Sequence, residues 1–489
     1  MTGQVSKHKQ IRHTFLYLLP TLLATLLPVL VLPLVTRVVT PEEMGLMALG
    51  QAFALFSQAF INWGVSLGYE RNFFQYSASP QDSGALLFST VVFIALSGLL
   101  FQALIHPFTG EISRFLFHRD GEDALIVHML AGQTLVGLAG YFFTYLRNRE
   151  QAATFSLYSM AMNLANVALL LWFLLVEHTG VIAYGYAASL SALGLIAIMA
   201  WRISREAPFS LRPSLVVEEL KIGYPVLFKS LMGSINSQFD KYLIGLFGTL
   251  SNVGVFNIAQ RASGMIFTLM TSLEQAYLPT VYRLLFEGKE ENRAVLGRYL
   301  TPYMYFSLAF AYGLILGAEE VFWLLTAPEY HPGIDMAIVL ALYFSTMFLM
   351  KINGTQLNYS KKVWATSFLV SGSVTLNILL NIPFIHWWGA MGAAWATLVS
   401  GMIMGGLIFR VAQRYAPIRF EVGRTVLIHA LCAVAALVVL GLRQWTELSY
   451  VERLPFKVGL AGLYLYVGMR IGILTRENLK VLFASLRRS

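Results

Sequence analysis

Apolar runs of about 20 residues recur along almost the whole chain, separated by short polar breaks, and each run is long enough to cross a bilayer as a helix. The pattern predicts fourteen spans, near 14–36, 46–67, 84–105, 124–146, 153–176, 181–201, 222–247, 253–280, 299–318, 333–350, 363–385, 389–409, 424–442 and 455–473. Within several of them the polar residues fall at helical spacing. Gln51 and Gln58 share a face of the second span, and Ser156, Ser159, Asn163 and Asn166 a face of the fifth. On the seventh, Lys229, Gly233, Asn236 and Asp240 step by 4, 3 and 4; on the eighth, Asn257, Arg261, Gly264, Thr268, Thr271 and Gln275 continue the same rhythm. Lipid cannot satisfy a polar stripe, so such faces turn toward protein or a wet cavity. Small polar residues in membrane helices more often join helices than bind a ligand. The first span carries Pro20, Pro28 and Pro33 and is expected to bend.

The chain also repeats itself. At an offset of 209, Gly45 and Gln51 fall on Gly254 and Gln260, and Gly180, Ala187 and Ser191 fall on Gly389, Ala396 and Ser400. Arg12 meets Lys221, each just before a long span. Six spans lie within that offset, so both halves keep the same orientation, as in a parallel repeat. The domains expected are a six-helix bundle over 1–205, a cytoplasmic linker over 206–221, a second bundle over 222–410, and two further helices with a basic tail over 411–489. The fold class is all-α polytopic membrane protein, with about fourteen transmembrane helices.

Composition agrees, with 57% hydrophobic and 12% charged residues among 489. The formal charge of +9 invites a nucleic-acid reading, but the positions of the charges exclude it. With the N-terminus inside, and with Arg424, Lys457 and Arg470 at the very ends of their spans counted with the adjoining loops, 26 of the 35 Lys and Arg fall on the cytoplasmic side, 6 outside, and 3 within the spans. External loops are acidic, with Glu111, Asp120, Glu122 and Asp123 in one and Glu319, Glu320, Glu329 and Asp335 in another. The first apolar run is too long for a signal-peptide core and lacks a small-residue cleavage site, so it is expected to stay as a span. The one cysteine, Cys432, leaves no disulfide to form.

Candidate chemistry gathers between Lys221 and Phe286. Lys229, Asp240, Lys241, Arg261 and Glu274 lie at membrane depth, where charge is rare and usually functional. Folding the seventh and eighth spans about the turn between them brings Asp240 level with Arg261, and Lys229 level with Glu274. The plain alternative is a pair of structural ion pairs sealed between helices. No phosphate loop, H-E-x-x-H pair or Cys/His cluster appears, so no cofactor, no metal site and no enzyme active site is expected.

The stretches PLVTRVVTPEEMGLMALGQ, YERNFFQY, FDKYLIGLFGTLSNVGVFNIAQRASGM, LPTVY and LNILLNIPFIHWWGAMGAAWATLVS resemble the Wzx-type bacterial polysaccharide flippases. These belong to the superfamily of multidrug, oligosaccharidyl-lipid and polysaccharide exporters. The resemblance covers spans 1 to 12 and implies a MATE-like fold in the bacterial cytoplasmic membrane, both termini cytoplasmic, moving an undecaprenyl-diphosphate-linked oligosaccharide outward by alternating access. The partners implied are that lipid-linked glycan, membrane lipids, and glycan polymerase or chain-length proteins, with no nucleic acid. Asp240 and Lys241 match the Asp-basic pair of the family's seventh span; Arg37 and Arg71 match its basic positions around spans 1 and 2. The site residues expected are Lys229, Lys241, Arg261 and Arg71 for the diphosphate, with Asp240 and Glu274 as ion-pair or coupling groups. Gln51, Gln58, Asn163, Asn236, Asn257, Gln260 and Thr268 are the expected polar cavity lining. Lipid II flippases are cationic along the first two spans, whereas Thr21, Thr25, Gln51 and Gln58 stand here. Drug exporters keep a carboxylate in the first span, and this chain has none there. A cation-coupled drug exporter and a membrane-embedded glycan polymerase or ligase are the alternatives.

Overall fold

The computed structural model describes residues 7–475, which form helices and short connections with no strand among them. The helices are α1 (Lys7–Val35), α2 (Pro41–Asn62), α3 (Val65–Tyr76), α4 (Pro80–Ile105), α5 (Thr109–Phe117), α6 (Asp123–Asn148), α7 (Ala152–Leu175) and α8 (Ala183–Glu206). They continue with α9 (Pro213–Phe247), α10 (Leu250–Phe286), α11 (Glu290–Leu325), α12 (Gly333–Tyr359), α13 (Val363–Tyr415), α14 (Val422–Gln444) and α15 (Tyr450–Arg470). α13 holds the expected eleventh and twelfth spans in one run, broken at Gly389 (φ 57, ψ −144). Helices therefore stand wherever a span was expected. Among the described residues nine are long and apolar enough to cross a membrane on length and composition alone, so fourteen is an approximate count. Large apolar side chains such as Leu30, Leu96, Leu99, Leu100 and Leu437 are more than half exposed, the outer surface a lipid solvent requires.

Local sequence sets the helix ends. Thr40 and Glu43 form a reciprocal cap at the start of α2, with Pro41 in the first turn, where its missing N–H costs nothing. Between α2 and α3, Trp63 and Gly64 both take left-handed φ (51° and 74°). The second span thus ends at a break, and YERNFFQY continues as a separate helix.

The chain divides into two compact units. The first comprises residues 1–257 with 325–329, the second 258–324 with 330–489. In the first, α9 packs along α2 and α3. The core of this unit holds an aromatic group, with Tyr69 edge-on to Tyr141 (5.4 Å) and Phe73 edge-on to Tyr145 (5.6 Å). In the second unit, α12 packs on α13 and on α14.

The repeat reappears in the backbone. α10 begins 209 residues after α2, and α11 and α12 begin within one residue of the positions equivalent to α4 and α6. Gly180 and Gly389 both adopt positive φ (61° and 57°). Ser191 accepts an amide hydrogen from Asn166 (3.4 Å), and Ser400 from Asn377 (3.2 Å). The repeated glycines of the first unit meet reciprocally: a Cβ on Gly45 would lie 2.0 Å from the Leu250 carbonyl oxygen, and one on Gly254 would lie 1.9 Å from that of Pro41. Leu250 and Gly254 are the 209-residue equivalents of Pro41 and Gly45.

Candidate functional site

A cavity of about 260 Å³ opens within the first unit, walled by α2, α6, α7 and α8. Its polar lining is Gln51, Gln133, Asn163, Asn166 and Tyr184, and its apolar lining includes Met47, Met129 and Met162. Two expected lining residues, Gln51 and Asn163, are thus brought together. Asn166 belongs to the same α7 stripe. Gln133 and Tyr184 were missed, being single polar residues in apolar helices with no stripe to mark them. No lining side chain is charged. Amides and phenols offer paired donors and acceptors, the chemistry that suits neutral hydroxylated groups, and methionines supply adaptable apolar contact.

Gln58 is not in this wall: two turns along α2 it lies against Gly137, where a Cβ would come within 2.3 Å of its Nε2. Asn257 is buried (1% exposed), and its Nδ2 has no hydrogen-bond partner among the described residues. Gln260 and Thr268 are partly buried on α10 in the second unit. The side chains of Asn236, Lys229 and Thr21 lie outside the described residues.

Of the ionisable residues, Asp240 and Lys241 are buried on α9, each 6% exposed, and Lys241 Nζ donates to Gln238 Oε1 at 3.0 Å. Arg261 is partly buried on α10 of the second unit, so its level pairing with Asp240 stays a proposal. Arg71 is exposed on α3, with Nη1 3.5 Å from Asn72 Oδ1.

Glu274 has a partner that the sequence reading did not name: its carboxylate takes a 2.6 Å hydrogen bond from Lys351 of α12, while its expected level pairing with Lys229, whose side chain lies outside the described residues, stays an expectation. Lys351 also donates to Thr271 (3.1 Å) and lies 4.6 Å from the centre of the Phe267 ring. Phe267, Thr271 and Glu274 occupy one face of α10, so a single helix offers π-face, hydroxyl and carboxylate to one ammonium. The pair is mostly buried, with 16% and 19% of the two side chains exposed. Lys351 was missed because the tenth span was ended at residue 350, whereas α12 runs on to Tyr359.

A second cluster joins α14 and α15 to the rest of the second unit. Glu319, 1% exposed, is paired with Arg443 of α14 and with Arg453 (3.0 Å) and Lys457 (2.7 Å) of α15. Asp335 takes a 2.6 Å bond from Arg443, and Glu320 a 2.8 Å bond from Lys457. The acidic group assigned to an external loop is therefore largely an internal counterion set. Among the described residues no group of His, Cys, Asp or Glu is arranged to hold a metal ion.

Residues 11–285 match the profile of a family described as polysaccharide biosynthesis protein. A putative O-antigen transporter of Escherichia coli K12 is 23% identical over 402 residues, 78% of this chain and 92% of that protein. A probable low-salt glycan biosynthesis flippase of Haloferax volcanii is 24% identical over 298 residues, 60% of this chain. That match spans 61% of the relative, less than two thirds of its length. The lipid II flippase MurJ in an inward closed conformation superposes with a TM-score of 0.67 at 15% identity, over 94% of this chain and 98% of that one. An inward-facing MATE family multidrug resistance transporter of the MOP superfamily gives 0.62 at 16% identity, over 81% and 93%. At such identity the likeness establishes the fold, a MATE- and MurJ-like multi-pass membrane architecture.

Proposed function

Because the chain belongs to the polysaccharide biosynthesis protein family, we propose that it is a flippase carrying an undecaprenyl-diphosphate-linked oligosaccharide across a bacterial cytoplasmic membrane. Its named relatives are transporters and flippases, not enzymes. The observation that carries the reading to this chain's own residues is the cavity wall of Gln51, Gln133, Asn163, Asn166 and Tyr184. Neutral amides exchange hydrogen bonds with sugar hydroxyls at little desolvation cost, whereas an exporter of cationic drugs would want a carboxylate there, and no lining residue has one.

The anionic end of such a substrate needs cations. A diphosphate cannot cross hydrocarbon unaided, and a charge-assisted contact at membrane depth lowers that barrier. Lys229, Lys241 and Arg261 serve in this role, Arg71 receives the headgroup at the cytoplasmic mouth, and Lys351 joins them by leaving Glu274 for phosphate. Asp240 and Glu274 hold the cations when no substrate is present. Alternating access of the two repeat halves moves the headgroup while the polyprenyl tail stays in lipid. Both termini are cytoplasmic, as the distribution of Lys and Arg supports.

The test is translocation of a labelled undecaprenyl-diphosphate oligosaccharide by purified protein in liposomes. Gln51→Ala with Asn163→Ala is expected to lower the rate for the glycan substrate. Arg261→Ala and Lys351→Ala are expected to weaken capture of any polyprenyl diphosphate, whatever its sugar. Normal rates in all of these variants, with intact folding, overturn the assignment.

A further inference from the structure

Glu219 stands in the first turns of α9, ahead of the span expected at 222–247, and is fully buried at 0% exposed. Glycines make that burial possible. A Cβ on Gly68 of α3 would lie 2.5 Å from Glu219 Cα, and one turn further Gly64 and Gly223 lie carbonyl to α-carbon, where an added Cβ on either would come within 2.1 or 2.2 Å of the other's oxygen. α9 thus rests on α3 backbone to backbone.

Among the described residues no cation is paired with the carboxyl. It faces Thr90 of α4, with the phenols of Tyr69 (α3) and Tyr141 (α6) nearby and Glu218 beside it on α9. Glu218 bonds to Tyr76 of α3 (2.8 Å), Asp82 of α4 is paired with Arg212, and Lys221 and Arg71 are exposed. The Tyr69 hydroxyl makes no hydrogen bond among the described residues.

Hydrogen counting at Thr90 then decides the protonation state. Its Oγ1 lies 2.7 Å from the Leu86 carbonyl oxygen and 2.9 and 3.0 Å from the two Glu219 oxygens. A hydroxyl has one hydrogen. Given to Leu86, it leaves the contact with Glu219 to be bridged by a proton on the carboxyl. Turned toward Glu219, it would serve the ionised form but forfeit Leu86 and leave a buried charge without a counterion, the costlier arrangement.

We propose that Glu219 is a proton-binding site, filled while α9 lies against α3 and emptied to water when the two helices part. The step is simple acid–base exchange, carboxylate plus proton from water giving the neutral acid. Burial pushes this carboxyl up to about 8, from an ordinary value near 4.5. The docked state therefore binds the proton more tightly, so docking is favoured at low pH. It weakens by about tenfold per pH unit as pH rises from the ordinary range to about 8, and changes no further above that. In the flippase reading this ties the movement of α9 to a proton gradient. The tests below need no transport, so they can fail while that reading stands.

Full-length protein with Cys432→Ala, Leu67→Cys and Tyr224→Cys, reconstituted in liposomes, is joined by a short bis-maleimide across the α3–α9 contact. Cross-linking yield is expected to fall as pH is raised through this window, and to be pH-independent in Glu219→Gln. The infrared carbonyl band of a protonated carboxyl should be present in the parent near neutral pH and missing in Glu219→Gln. Should Glu219→Gln not fold, Thr90→Val is expected to move the midpoint of both titrations. An unchanged carbonyl band or pH profile in Glu219→Gln, or an unmoved midpoint in Thr90→Val, overturns the proposal. So does a yield restored at high pH by sodium but not potassium, which would make the ligand a metal ion.

Discussion

Lys351 and Glu274 illustrate how much one neighbour changes the meaning of a buried charge. Removing the ammonium alone strands a carboxylate that is four-fifths buried; removing both leaves no orphan. Lys351→Ala is therefore expected to cost about 1–3 kcal/mol of stability, and Lys351→Ala with Glu274→Ala less than the single change. Thermal unfolding in detergent reads this, and a double variant as damaged as the sum of the singles would show the pair to be uncoupled. The cavity residues behave differently. In the proposed function Gln51→Ala or Asn163→Ala would remove hydrogen bonds to the glycan, so translocation should slow by about five- to tenfold per residue with little change in unfolding temperature. The sequence disclosed Gln51 and Asn163 because each sits in a stripe of polar residues at helical spacing. It could not disclose Lys351, which stands one residue past the point where the apolar run was ended and so looked cytoplasmic. Glu219 was hidden for the related reason that VVEELK reads as a polar linker; only the glycines of a helix far away in sequence turn it inward.

At the level of helices the duplication was legible because it is written in backbone-determined residues. Gly180 and Gly389 share an unusual φ, and Gly45 and Gly254 share a contact that no side chain permits. These are positions where chemistry and geometry coincide, so a self-comparison finds them despite little other identity. The break between α2 and α3 was not legible, because Asn62-Trp63-Gly64 lies inside an apolar run and periodicity cannot see two residues of positive φ. The reciprocal glycine crossing makes a sharp prediction. Gly45→Val or Gly254→Val places carbon within about 2 Å of a backbone carbonyl, so the starts of α2 and α10 must separate. Either change should lower the unfolding temperature by several degrees and reduce translocation. Gly264→Ala, with nothing within 4 Å of the added carbon, should do neither.

Across the whole chain, charge does two separate jobs. On the topology the sequence leads one to expect, the excess of Lys and Arg on one side would orient the helices during insertion. The acids gathered on the other side looked like mere contrast to that excess, yet three of them meet three bases of α14 and α15, and the group sums to zero. A neutral, largely buried network contributes little net attraction relative to apolar packing, but it penalises every arrangement in which one member is left alone. It therefore specifies how the two accessory helices seat on α11 and α12 more than how tightly. Glu319 is the member that all three bases share, so Glu319→Gln leaves Arg443, Arg453 and Lys457 with only Asp335 and Glu320 between them. Loss on the order of 3–5 kcal/mol is expected for such a buried partner, concentrated in α14 and α15. Hydrogen exchange should show those two helices opening first while α6 and α8 keep their protection. By contrast, Glu70→Gln, which removes an exposed partner of Arg147, should change stability by less than about 1 kcal/mol. If Glu319→Gln loosened every helix equally, or none, the seating role would be wrong and the network would be incidental to the attachment of the last two helices.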